Sequence, residues 1–414
     1  MKAVILAAGE GKRLRPLTHT TPKCMLPIAG KPILLHMLLT LKELGITEAI
    51  IIVKHLKEKI ISYFKDKDLG IKLTFIEQGE EYGTGAALLY AKEHIQEPFL
   101  MLAGDTILDS SIVKAVIASH KKGITLAVKK VEHPHLYGVV ELDSNNRVSK
   151  LEEKPIHPKT DLANLSVYMF DPDIFSKLEQ IKSSSRGEYE ITDALLGAQA
   201  VVVNGFWMDI AYPWQLFDAL EFILGKMDSD TKNGLIDNST INGKVVLGKG
   251  AKIINSYIDG DVYIGENTTI GPNAYIRGTS SIGSNCAIGS GSTVKASILF
   301  DHVNAKHLSY LGDSIIGNDI NFGSGTQIAN YRFDAGHISV MTEKGWVNTG
   351  RKKFGCVIGD NTKFGVISCV MPGKLIGNNC WVSSGVVVNE NLASNTRIFL
   401  KQEHTFMKQE EGEG

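Results

Sequence analysis

The sequence has no run of 18 apolar residues, so no segment can cross a bilayer as a single helix. It also lacks a charged-then-apolar leader. The chain passes from Met1 directly into a strand-like pattern, and a cytoplasmic protein without membrane contact is expected. Cysteine is scarce: Cys24, Cys286, Cys356, Cys369 and Cys380 lie far apart with no C-x-x-C spacing. That excludes the usual zinc and disulfide frameworks and predicts small buried apolar side chains. Neither charge is in excess. With 44 basic against 45 acidic residues the net charge is −1, so no global field would draw in nucleic acid or an anionic membrane. What remains is ample for two cores, since 43% of 414 residues are hydrophobic.

The most informative stretch runs from residue 4 to 27. An apolar run, Val4, Ile5 and Leu6, breaks at once into Ala7, Ala8, Gly9 and Gly11, residues that let backbone approach a ligand. Arg13, Arg15 and Lys23 follow in the same loop. Bare N–H groups and fixed cations thus converge where a nucleoside triphosphate could lie. No Gly-Lys-Ser/Thr closes the loop, so it is not a P-loop.

The run Leu6-Ala-Ala-Gly-x-Gly-x-Arg-Leu-x-Pro16, then Pro22-Lys23 and Leu26-Pro27, resembles the signature of sugar-1-phosphate nucleotidylyltransferases. Up to about residue 225, apolar runs at 49–53, 73–76, 99–102 and 125–128 alternate with helical-period segments such as 33–44 and 112–120. This predicts an α/β Rossmann-like domain over 1–227, its sheet mostly parallel, with ligands beyond the carboxyl ends of the strands. Several strand ends carry unusual residues. Gln78 with Gly83, Thr84 and Gly85 could read a base edge, and in the family resembled this pairing belongs to uridylyl-type members. Asp105 and Asp209 end apolar runs, and two carboxylates near triphosphate oxygens suit Mg²⁺. The resemblance further implies that Gly138, Glu153, Lys154 and Asn164 bind the sugar phosphate, that Leu6, Ala8, Gly9 and Gly11 bind nucleotide, and that Arg13 and Lys23 are catalytic.

After a connecting helix near 213–226 the period changes. Ile264, Ile270, Ile276, Ile282, Ile288 and Val294 fall six apart; Ile316, Phe322 and Ile328 resume the phase, as do Ile358, Phe364, Val370, Ile376, Val382 and Val388. A six-residue apolar period predicts a parallel β-helix over 228–400, with glycine after the apolar residue permitting the turn. A polar tail, 401–414, would follow. Residues 329–357 break the repeat and are expected to project as a loop toward a neighbouring subunit.

This half resembles the left-handed hexapeptide-repeat transferases, and Arg277, Lys295, His307, Tyr310, Asn321 and Asn330 resemble the acetyltransferase site of bifunctional N-acetylglucosamine-1-phosphate uridylyltransferases. The resemblance implies that His307 is a general base toward acetyl-CoA, that Arg277 and Lys295 hold phosphate, and that Tyr310, Asn321 and Asn330 orient the sugar. It also implies a homotrimer or a multiple of one. The insert departs from that family's pattern, with Gly336, His337 and Ser339 where a phosphate-binding lysine is found. The expected function is synthesis of UDP-N-acetylglucosamine: N-acetylation of glucosamine-1-phosphate, then Mg²⁺-dependent uridylyl transfer from UTP. The alternatives are a monofunctional glucose-1-phosphate thymidylyl- or uridylyltransferase with a structural β-helix, and a non-catalytic nucleotide-sugar sensor.

Overall fold

Aliphatic residues on successive positions favour an extended strand covered on both faces, and Lys2–Ala7 forms such a strand, β1. In the computed structural model, which describes residues 1–184 and 187–407, β1 lies between parallel partners. These are β2 (Glu48–Val53) and β4 (Phe99–Ala103), with β3 (Lys72–Glu77) outside β2. The sheet continues with β5 (Ile124–Lys130), the hairpin β6 (Gly138–Leu142) and β7 (Val148–Glu153), β8 (Leu162–Phe170) and β9 (Gln199–Val202). The order is β7-β6-β8-β4-β1-β2-β3, while β5 joins β8 to β9.

The expected parallel pairing holds among β1 to β4 and again between β5 and β9. Beyond them β8 pairs antiparallel with β4, β5 and β6. β6 and β7 also pair antiparallel, because residues 143–147 are too short for a crossover and fold as a turn, with Asp143 accepting from the N–H groups of Asn145 and Arg147 at 2.8 Å each. Ile5, Ile51 and Leu102 face one core, against Leu38 of helix α1 (Ile33–Glu43) and Val113 of α2 (Ser110–Ser119). Val4, Ile50 and Met101 face the other core, with Phe99 and Phe170. The parallel strands all end at one edge, where the loops after Ala7, Val53, Glu77 and Ala103 meet. This unit closes with α3 (Gln215–Lys226) and spans Met1–Lys226.

The second unit, Met227–Gly414, is a parallel β-helix. Its described residues form three sheets of nine, eight and seven short strands, each strand pairing in parallel with the one a coil later. Ile258, Ile276, Val294, Leu311, Ile328, Val370 and Val388 stack in one fully buried column. The apparent gap between Val294 and Ile316 is no interruption. Leu299, Ala305 and Leu311 fill the three columns there, and the phase slips because the corners after Val294 and Leu311 are each one residue shorter.

Gly271, after Ile270, has a positive φ of 110° as a turn glycine would, but Gly265 and Gly283 are needed for a different reason. Left-handed backbone is supplied two residues later, by Asn267, Asn285, Asn361 and Asn379. Gly265 has no positive φ, but a Cβ there would lie 2.5 Å from the Gly283 carbonyl carbon of the next coil. The 329–357 segment also differs from expectation. It holds an antiparallel hairpin, Ser339–Thr342 with Gly345–Asn348, laid on its own coil: Val340 is fully buried and Asn391 Nδ2 donates to the Met341 carbonyl at 2.8 Å. The five cysteines are free thiols, four of them buried and Cys369 half-buried.

Candidate active sites

At the carboxyl edge of the first sheet, β1 runs into a loop anchored by buried Leu14 and Leu17. Gly11 adopts φ +65°, and a Cβ on it would come within 3.0 Å of both Lys23 Cβ and Thr18 Cγ2. The Thr18 hydroxyl donates to the Gly11 carbonyl at 2.8 Å, which fixes that turn. A Cβ on Gly9 would meet nothing within 4 Å, so the loop leaves open space there. Ala8 is half-buried beside it. Leu6 packs against the core and its carbonyl accepts from Gly104 N–H at 2.8 Å, tying the loop to the β4 end that carries Asp105.

Lys23 binds both candidate carboxylates. Its Nζ contacts Asp105 Oδ2 and lies 3.2 Å from Asp209 Oδ1. Asp209 reaches this point because Trp207–Asp209 pairs antiparallel with Thr106–Leu108. Burial pulls the Lys23 ammonium down, but Asp105 and Asp209 outweigh it and leave the pKa above its ordinary value. Burial pushes Asp105 up, opposed by Lys23. Arg13 is close enough to act against the Lys23 charge, and its guanidinium stands 5.3 Å over the Tyr212 ring. An ammonium shared by two carboxylates marks a point that one cation can neutralise. This donor set fits Mg²⁺, which takes one or two carboxylates and completes its shell with phosphate and water. Among the described residues no cluster of three or more metal-ligating side chains exists.

The sugar-side candidates come together on β6, β7 and β8. Gly138 pairs with Glu153, and a Cβ on Gly138 would lie 2.9 Å from Glu153 Oε2. Lys154 holds a left-handed backbone, φ 50°, and its Nζ is 3.2 Å from Glu153 Oε1. Asn164 sits at the bulge of β8, where Nδ2 donates to the Tyr168 hydroxyl at 2.7 Å and Oδ1 accepts from Ser166 N–H at 3.2 Å. Its donor and acceptor are thus partly engaged within the protein. Tyr137 links the two groups: its ring meets Trp207 edge-on at 5.4 Å, and burial followed by Asp209 raises its pKa. Sequence reasoning missed Tyr212, which carries no motif of its own.

The Gln78 loop is strapped from behind. Gln78 is buried and its Nε2 donates to the Glu81 carbonyl at 2.7 Å. Gly85 N–H donates to the Tyr189 carbonyl at 2.9 Å, and the Thr84 hydroxyl accepts from Ile191 N–H at 3.1 Å. Gly83, at φ +120°, leaves no room for a Cβ against the Tyr189 backbone. Glycine is required there by this strap, whatever ligand binds.

In the β-helix, Arg277 and Lys295 are register partners. Lys295 Nζ donates to Asp313 at 2.7 and 2.5 Å; Asn330 Nδ2 donates to Asp313 Oδ2 and, at 3.1 Å, to the Tyr310 hydroxyl. Burial raises the Tyr310 pKa. His307 is exposed one corner before Tyr310, and its imidazole has no hydrogen-bond partner among the described residues. Asn321 pairs with Asn304, at the opposite end of the His307 strand, and is exposed. The insert carries the basic run Arg351-Lys352-Lys353. Lys353 forms a bridge with Tyr331, and Phe354 N–H donates to the Asn330 carbonyl at 3.0 Å.

Fold and sites together define a nucleotidyltransferase domain joined to a hexapeptide-repeat transferase domain. Residues 2–226 match the nucleotidyl transferase family, and residues 258–398 match the GMPPB C-terminal domain. Over 99% of its length the chain is 40% identical to the bifunctional protein GlmU of Methanocaldococcus jannaschii, covering all of that protein. It is 37% identical to the bifunctional sugar-1-phosphate nucleotidylyltransferase/acetyltransferase of Sulfurisphaera tokodaii, over 95% of this chain and 98% of that one. The low-salt glycan biosynthesis nucleotidyltransferase Agl11 of Haloferax volcanii is 33% identical over 78% of this chain and 94% of its own. The chain belongs to the family of bifunctional sugar-1-phosphate nucleotidylyltransferase/acetyltransferases.

Proposed function

We propose that the protein makes UDP-N-acetylglucosamine in two steps, acetylating glucosamine-1-phosphate in the β-helix and transferring uridylyl from UTP in the α/β unit. The observation that carries the second step is the ammonium of Lys23 shared by Asp105 and Asp209 beside the open glycine loop. The sugar-phosphate oxygen attacks the α-phosphorus of UTP and pyrophosphate leaves. Little covalent help is needed, so positioning and charge neutralisation dominate. Lys23 turns from the carboxylates to the α-phosphate, and Arg13 stabilises the departing pyrophosphate. Asp105 and Asp209 would hold Mg²⁺, which when bound supplies positive charge to the phosphates. Glu153 accepts from sugar hydroxyls, Lys154 holds the sugar phosphate, and Asn164 contributes its remaining N–H. Gly138 lets the sugar approach the backbone. Leu6, Ala8, Gly9 and Gly11 line the nucleotide, with Gln78, Gly83 and Thr84 around the base.

In the β-helix, His307 takes the proton from the sugar amine as nitrogen attacks the thioester carbonyl of acetyl-CoA, and the CoA thiol leaves. Arg277 and Lys295 hold phosphate, while Tyr310, Asn321 and Asn330 orient the sugar. The assembly is a homotrimer or a multiple of one, a reading supported by exposed Leu308 (63%) and Ile367 (73%), apolar side chains held at left-handed corners. Localisation is cytoplasmic; no described helix is long and apolar enough to cross a membrane. The test is to supply glucosamine-1-phosphate, acetyl-CoA, UTP and Mg²⁺ and identify the product by mass. UDP-N-acetylglucosamine is expected. Formation of UDP-glucosamine alone would reduce the β-helix to a scaffold.

A further inference from the structure

Corner residues of the β-helix between the second and third sheets stack in a column. Gly243, Gly260 and Gly278 occupy it with φ of 124°, 141° and 68°, and Ala296 follows at 45°. The next place is taken by Asp313, at φ 48°. Its N–H donates to the Lys295 carbonyl, as Ala296 N–H donates to Arg277, so it is the same corner one coil on. A carboxylate is not needed to make this turn. It is nonetheless buried, its side chain 12% exposed, where an unneeded charge would be costly.

The carboxylate binds two groups of the candidate acetyl-transfer site and is linked to a third through one of them. Both of its oxygens accept from Lys295 Nζ, and Oδ2 also accepts from Asn330 Nδ2. The same Asn330 nitrogen donates to the Tyr310 hydroxyl. An amide nitrogen has two hydrogens, and both are now assigned. Asn330 is thereby left with its carbonyl oxygen as the group it can offer a ligand.

We propose that Asp313 is a positioning residue of this site, aiming the Lys295 ammonium at the substrate phosphate and committing Asn330 to present an acceptor to the amino sugar. The inference rests on the acetyl-transfer reading above. Asp313 touches neither acetyl-CoA nor the reacting amine, so it acts on substrate binding rather than on proton transfer. Loss of the carboxylate frees both partners to reorient.

The test uses the full-length protein with Asp313→Asn and Asp313→Gly. The glycine variant restores the residue type of the corners below it and relieves the left-handed strain, so its coil should fold. Steady-state thiol release is measured while varying glucosamine-1-phosphate, then acetyl-CoA. Both variants should raise KM for the sugar phosphate by at least tenfold, with kcat within about threefold of wild type and KM for acetyl-CoA unchanged. In an Asn330→Ala background, Asp313→Asn should add less than its single effect. A variant with unchanged KM for the sugar phosphate, or one in which kcat alone falls, overturns the proposal. Absence of thiol release in the wild type would instead overturn the acetyl-transfer reading itself.

Discussion

Replacing Lys23 by methionine removes the ammonium that Asp105 and Asp209 share. Taking one partner from a fully buried ion pair costs about 3–5 kcal/mol, because the remaining charge is left desolvated. Here the carboxylates keep 28% and 33% of their side-chain surface exposed. Solvent screening reduces the expected loss to about 2 kcal/mol. For a unit of this size that lowers Tm by roughly 4–8 °C. A divalent cation can replace the missing charge, so Mg²⁺ should stabilise the variant more than the wild type. At a concentration a hundred times the dissociation constant the gain is about 2.7 kcal/mol, enough to cancel the loss. The assay is thermal melting of both proteins without nucleotide, first in chelator and then across a Mg²⁺ titration. Equal Tm values in chelator, or equal Mg²⁺ shifts in the two proteins, would refute the idea that Lys23 balances the carboxylates.

Three further outcomes follow from local structure. Burial holds His36 down to about 4 while its Nε2–H donates to the Ile28 carbonyl at 2.8 Å. The unfolded chain takes up that proton near pH 6.5, so stability is lost as pH falls from there toward 4, by at most about 3 kcal/mol. His36→Gln should flatten this loss in melts across that window. Gly265→Ala would force a Cβ against backbone 2.5 Å away and should destabilise the β-helix by about 1–3 kcal/mol. Gly225→Ala, in α3 with nothing within 4 Å of a Cβ, should instead stabilise by about 0.5–1 kcal/mol; a reversed order in melting experiments would contradict both readings. Cys24, buried with its thiol pushed up to about 12, should resist alkylation in the native protein and react once it is unfolded; rapid native labelling would contradict its placement.

The hexapeptide half was legible because one physical constraint, an inward aliphatic residue on each face, recurs at fixed spacing. The phase slip after Val294 was not, since a corner shortened by one residue looks like an ended repeat until register shows Leu299 beside Ile282. In the α/β half, strand ends advertised themselves through Gly9, Gly11 and Gly104-Asp105. Glycine alone could not say which neighbour demanded it. Gly83 read as part of a loop for a base edge, yet the Tyr189 backbone already requires glycine there. Asp313 was visible in the sequence as a residue, but its pairing with a lysine one coil away was not. No local pattern encodes such neighbours.

The central claim is that two separate sites catalyse two different transfers. Thiol release from acetyl-CoA and pyrophosphate release from UTP, measured side by side in wild type, His307→Ala and Asp105→Asn, test it most directly. The account predicts that His307→Ala abolishes sugar-dependent thiol release and leaves pyrophosphate release with N-acetylglucosamine-1-phosphate intact. Asp105→Asn should do the reverse, lowering pyrophosphate release about a hundredfold or more, equivalent to ~3 kcal/mol. Loss of both activities in either folded variant, or thiol release that survives in His307→Ala, would contradict it.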